Sequence, residues 1–172
     1  MNLELIEQLT YFRRVNVPKY IECRLQNTAL KHLELSDMGK LRDRMDGQLY
    51  YDKLKTDIFA EYAFEQLIGI KKFDWEKRDN KYYKRKQYNF EGKALTLVTL
   101  IDEGFLVLPE MLGGNFVFVY VTPQNQVFVS GIATKRIIKK LSAGQTSKTI
   151  QINHFIGLIH FSSFGELLDK IE

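Results

Sequence analysis

Cysteine occurs once in this chain, at Cys23, so no disulfide within it can hold the fold together. Histidine is almost as scarce, and His32, His154 and His160 stand at no spacing that would ligate zinc. Long apolar runs are missing too. None approaches the roughly 18 residues that a membrane span needs, and the opening MNLELIEQLTYF lacks the basic-then-apolar plan of a signal peptide. The expectation is a soluble, cytoplasmic protein with no membrane partner. Several catalytic signatures are absent: no Gly-rich phosphate loop followed by Lys-Ser/Thr, no G-x-S-x-G and no H-E-x-x-H. Cys23 has no histidine at an interpretable position, so nothing supports nucleophilic catalysis. Acid is missing from a whole region, since no Asp or Glu lies between Met111 and Gly165.

What is present is ordinary for a folded protein. The 172 residues suffice for one domain with a real core. Hydrophobic residues at 45% and charged residues at 27% exclude disordered, collagenous and coiled-coil classes. The net charge is +4 but unevenly placed. Nine basic residues face four acidic ones between Lys71 and Lys93, and Lys135, Arg136, Lys139, Lys140 and Lys148 occupy the acid-free region. Such asymmetry suits either a surface that meets a polyanion or a solvated lysine-rich face.

The periodicity changes along the chain. NLELIEQLTYFRR places Leu5, Ile6, Leu9 and Phe12 close to helical spacing, and Pro18 is expected to end that helix. A second helix is expected to start at Ser36, and a third to run from Lys53 to Ile68 with Gly69 as its C-terminal cap. Period-two segments follow: DNKYYKRKQYNF, KALTLVTLI, GFLVLP, NFVFVYVTP and QVFVSGIA. Pro123-Gln124-Asn125 reads as a hairpin turn. Thr134 is expected to cap a basic helix KRIIKKL, TIQINHFIGLIHF to be extended, and Ser163 to Glu166 to open a last helix as a capping box. Together these predict an α+β (mixed α/β) single domain: helical in 1–52, a core over 53–141 and a strand and helix in 142–172. Its centre would be a mixed sheet of four to five strands flanked by helices.

The order of DIFAEYAFEQLIGI, YNFEGKALTLVTLI, GFLVLP, NFVFVYV and VFVSGIATKRIIKK resembles that of the PD-(D/E)XK nuclease superfamily, in particular its phage and mobile-element branch. The resemblance spans Asp57 to Leu141 and implies a restriction-endonuclease-like fold. In that family two carboxylates on adjacent strands hold magnesium, which polarises the phosphate and activates water, and a lysine orients or deprotonates the nucleophile. Carried over, the helix glutamate is Glu61, with Glu65 one turn further on. The strand aspartate falls on Asn89, and the acid-x-lysine pair on Thr96 and Val98, which can do neither job. Glu91 is a substitute carboxylate, Lys93 or Lys86 a substitute lysine, and Asp102 and Glu103 lie at a turn.

The resemblance therefore implies a nuclease-like protein with a degenerate site that binds nucleic acid or a protein partner. One alternative is an active magnesium-dependent DNA endonuclease, with Glu61, Glu91 and Lys93 catalytic and Glu61, Asn89 and Glu91 on the metal. Another is a virion or mobile-element assembly component, suggested by the aromatic runs FVFVYV and HFIGLIHF. In the binding readings, Lys84, Arg85 and Lys86 together with Lys135, Arg136, Lys139 and Lys140 form the DNA-facing patch. Aromatics interleaved with cations in WEKRDNKYYKRKQYNF suit base stacking or, alternatively, an amphipathic strand.

Overall fold

The computed structural model describes residues 12–100, 104–106, 114–122, 124–134, 136, 149–151 and 167–169. Within them the chain is α+β. Strand β1 (Arg13–Val15) leads to helices α1 (Lys19–Leu33), α2 (Met38–Arg42), α3 (Met45–Leu67) and α4 (Trp75–Arg78). Strands β2 (Gln87–Phe90), β3 (Lys93–Leu100), β4 (Gly104–Leu106), β5 (Asn115–Val121), β6 (Val127–Ala133) and β7 (Thr149–Gln151) follow. Five strands form a sheet in the order β1-β6-β5-β3-β2, in which β3 and β5 run parallel and every other pair antiparallel. β4 and β7 make a separate antiparallel pair.

Arg13 and Arg14, expected in a helix, belong to β1. Val15 and Val17 are β-branched, and Pro18 pushes Val17 into extended backbone, so this stretch pairs with the edge of β6. Pro18 begins a helix instead of ending one. It is the N-cap of α1, which the sequence reading missed, and Ile21, Leu25, Thr28, Ala29 and His32 are buried along one face at helical spacing. The cap of α2 is Asp37, whose Oδ1 accepts from Lys40 N at 3.0 Å, while the expected Ser36 donates to Asp37 Oδ2.

α3 is the central element and starts eight residues before the expected Lys53. Every residue from Asp57 to Glu65 is buried, because the sheet, α1 and the segment leading to β2 surround that part of the helix. It ends as its sequence requires: Gly69 takes φ +85°, and Ile70 N donates to Glu65 O at 2.8 Å.

β2 and β3 join through a two-residue turn in which Glu91 (φ 52°) and Gly92 (φ 83°) are both left-handed, the geometry that matches strand twist. In β5 the alternation is aromatic against aliphatic. Val117 and Val119 enter the core beneath α3 with Leu95, Leu97, Val127, Val129 and Ile132, while Phe116, Phe118 and Tyr120 are buried on the opposite face. The register of β5 against β6 shifts between Val117 and Val119, and Ser130 Oγ accepts the amide of Phe118 there at 3.0 Å. The turn at Gln124 and Asn125 forms as expected, with Asn125 N donating to Thr122 O.

Candidate functional site

DNKYYKRKQYNF, expected to be a strand, is one only in its last four residues. Asp74 accepts the amide of Lys77 and caps the short α4, Tyr83 N bonds Asn80 O in a turn, and Lys86 takes φ 65°. The chain from α3 to β2 is therefore a folded loop with its own anchors.

The strongest anchor is Arg78, whose side chain is 2% exposed. Its Nε donates to Glu61 Oε2 at 2.8 Å, Nη2 to Glu65 Oε1 at 2.5 Å, and Nη1 to Asp74 O at 2.9 Å. The guanidinium also lies 3.9 Å from the ring centroid of Phe73, a cation–π contact in a desolvated setting. Burial opposes the charge on Arg78, but the two carboxylates outweigh it and hold its pKa above the ordinary arginine value. Glu61 Oε1 accepts Lys86 N at 2.6 Å. Burial pushes the Glu61 carboxyl up, against the pull of Arg78 and the Lys86 amide. Both of its oxygens face groups that can only donate, so the bonding pattern is that of a carboxylate. Tyr88 Oη donates to Glu65 Oε1 at 3.2 Å, and burial next to Glu61 and Glu65 raises the phenol.

Asp57, Glu61 and Glu65 stand four apart along α3 and so share one face. Asp57 completes the row by pairing with Lys86 Nζ at 3.0 Å. The sequence shows the spacing of these acids but not what they hold.

The magnesium site implied by the resemblance is not assembled. Glu61, its expected helix ligand, is committed to Arg78 and the Lys86 amide. Tyr88 and Leu95 face α3, so Asn89, Thr96 and Val98 lie on the other face of the sheet, and Asn89 Oδ1 accepts Gly92 N at 3.0 Å. Glu91 is exposed in the β2–β3 turn. Lys93 Nζ donates to Leu168 O at 3.3 Å. Among the described residues no three His, Cys, Asp or Glu side chains could hold a metal ion together. The donor set does not fit magnesium.

The expected basic patch is only partly in view. Lys84 and Arg136 are exposed, whereas Arg85 and Lys86 are half-buried. Lys135, Lys139 and Lys140 lie outside the described residues, as do the helix expected from Thr134 and the capping box at Ser163. Arg85 Nη2 donates to Arg78 O at 3.3 Å, and its buried Nε has no partner among the described residues. Lys71, Lys72, Lys77 and Lys81 are exposed along the same segment, and Tyr82 projects from it at 89% exposure. The tyrosine reading thus divides: Tyr88 packs inward and Tyr82 faces solvent.

A second network missed in the sequence ties α1 to this loop. Asp79 accepts from Thr28 Oγ1 at 2.9 Å and Arg24 Nη2 at 3.1 Å. His32 Nε2 meets the carbonyl oxygen of Asp79 at 3.0 Å, and Nδ1 meets Tyr50 Oη at 2.7 Å.

The described residues define an α+β protein whose surface loop is clamped from below by a row of acids and presents cations outward. No protein-family model, no curated protein and no solved structure matches the chain. No helix among the described residues is long and apolar enough to cross a membrane.

Proposed function

We propose that this protein binds nucleic acid through the outer surface of the α3–β2 loop, without cutting it. The observation that carries this reading is the use of Arg78. It engages Glu61 and Glu65 inside the protein, as Lys86 engages Asp57, so the acids beneath the loop are turned away from its outer surface. Lys71, Lys72, Lys81 and Lys84 are exposed on that surface; Lys77 is exposed there too but pairs with Asp74 at 3.5 Å. Exposed Tyr82 between Lys81 and Lys84 offers a stacking face beside phosphate-neutralising charge, the combination used for strands bound without sequence preference. The order of elements resembling PD-(D/E)XK nucleases is a further argument for a phosphodiester ligand, with the frame serving binding alone.

Fluorescence anisotropy with labelled duplex and single-stranded DNA tests the proposal. At physiological salt the expected dissociation constant lies around 10⁻⁴ to 10⁻⁶ M, and it tightens toward roughly 50 mM salt because log affinity falls with log salt at about −0.9 per phosphate contacted. Replacing Lys72 and Lys84 with alanine flattens the slope by up to about two units. Replacing Tyr82 with alanine weakens single-strand binding by about 1–3 kcal/mol. No binding at low salt overturns the reading, and supercoiled plasmid nicked with magnesium by wild type but not by Glu61→Gln overturns the claim that it does not cut.

A further inference from the structure

Between α3 and the loop lies a cleft of about 370 Å³, lined among others by Tyr50, Lys53, Lys81, Tyr83, Arg85 and Lys86. Four cationic side chains share it with one carboxylate, Asp57, which is already bound to Lys86 Nζ. Cations gathered around so small a space repel one another, and that cost is lifted by an anion between them. Two of the cations are held in place by the fold. Arg85 is fixed through Nη2 on the Arg78 carbonyl, with its buried Nε given no acceptor among the described residues. Lys86 is fixed at its amide by Glu61 and at its ammonium by Asp57, in a left-handed backbone that a residue with a side chain adopts only when its surroundings impose it.

Tyr50 links the cleft to His32. The Asp79 carbonyl can only accept, so His32 Nε2 carries the hydrogen and Nδ1 of the neutral ring accepts from Tyr50 Oη. A proton arriving at Nδ1 reverses that bond and leaves the Tyr50 O–H free to donate into the cleft. We infer that this cleft binds a phosphate group, and that His32 and Tyr50 make its affinity rise when one proton is taken up. The inference deepens the nucleic-acid reading and rests on it for the source of the phosphate, a strand terminus. Arg85 and Lys81 face His32 and oppose its proton, Asp79 favours it, and Arg85 and Asp57 face Tyr50. An anion in the cleft offsets the first two.

Three titrations of the full chain test this: inorganic pyrophosphate by calorimetry, and 5′-phosphorylated against 5′-hydroxyl oligonucleotide by anisotropy. Lys53 and Lys81 are exposed, so Lys53→Gln and Lys81→Gln do not lower thermal stability while each lowers pyrophosphate affinity about tenfold, the cost of one charge-assisted hydrogen bond. The 5′-phosphate tightens oligonucleotide binding in wild type and not in the double variant. For the proton, sulfate is the probe, because its own charge is constant. Its affinity rises as pH falls below 6.5, the ordinary histidine value, and Tyr50→Phe removes most of that rise while preserving the fold. Pyrophosphate binding that is absent, or equal in wild type and double variant, overturns the inference. DNA binding that ignores the 5′-phosphate sinks the cleft and leaves the proposed function standing; pyrophosphate bound at the cleft without any DNA binding does the reverse.

Discussion

Arg78 and Glu61 form a charged pair 2.8 Å apart, with side chains 2% and 0% exposed. Removing one partner strands the other's charge in the interior, which typically costs about 3–5 kcal/mol. Arg78→Met should destabilise by that amount, measured as a shift in urea midpoint at constant slope. Adding Glu61→Gln and Glu65→Gln to it should recover part of the loss, because the stranded carboxylates are then gone. A loss below about 1 kcal/mol for Arg78→Met would mean that the pair is wetter than its geometry.

The stability of the protein should fall on mild acidification. Burial lowers the pKa of His32 from its ordinary 6.5, with Arg85 and Lys81 adding to the effect. The unfolded chain then takes up a proton before the folded one does. His32's contribution is complete above 6.5 and is lost as pH falls from there toward its folded value. Thermal melts across this range should slope more steeply for wild type than for His32→Gln. Parallel slopes would remove His32 as the cause.

At Gly47 in α3, an added Cβ would meet the Leu41 carbonyl oxygen at 2.8 Å. Glycine to alanine inside a helix ordinarily stabilises by about 0.8–1 kcal/mol. Here α2 and α3 approach too closely for that, and Gly47→Ala should lower the melting temperature. A rise would show that the α2–α3 connection yields easily.

Glu91 separates the nuclease expectation from the turn geometry. At φ 52° it occupies a position that asparagine tolerates better. Glu91→Asn should therefore hold or raise stability, by on the order of 0.5 kcal/mol, since asparagine visits this backbone region readily. It should leave DNA binding unchanged. Loss of a metal-dependent activity in this variant would restore Glu91 to a catalytic role.

The end of α3 and the β5–β6 hairpin are legible because each carries a local signal: a C′ glycine, or alternation around a turn. α1 is hidden in the sequence because Pro18 reads as a stop, when proline's fixed φ equally suits a helix start. The loop after α3 reads as a strand in sequence because its tyrosines and cations alternate approximately. What folds it is Arg78 reaching back to Glu61 and Glu65, a tertiary bond that no local period encodes. The same bond removes Glu61 from the metal site suggested by the motif order. A glutamate on a helix looks alike in sequence whether it faces a metal or an arginine.

The Lys86 N–H donates across 2.6 Å, nitrogen to oxygen, to a Glu61 carboxylate that has no solvent exposure, and this bond must break before the amide can exchange. Its exchange with deuterium should wait for disruption of α3 itself, although it lies in a surface connection where exchange is normally fast. Because Glu61 also holds Arg78, 17 positions from it along the chain, the whole connection shares that fate. A segment that opens only with the core would give the proposed nucleic-acid partner a surface that is already set, at little cost in ordering entropy.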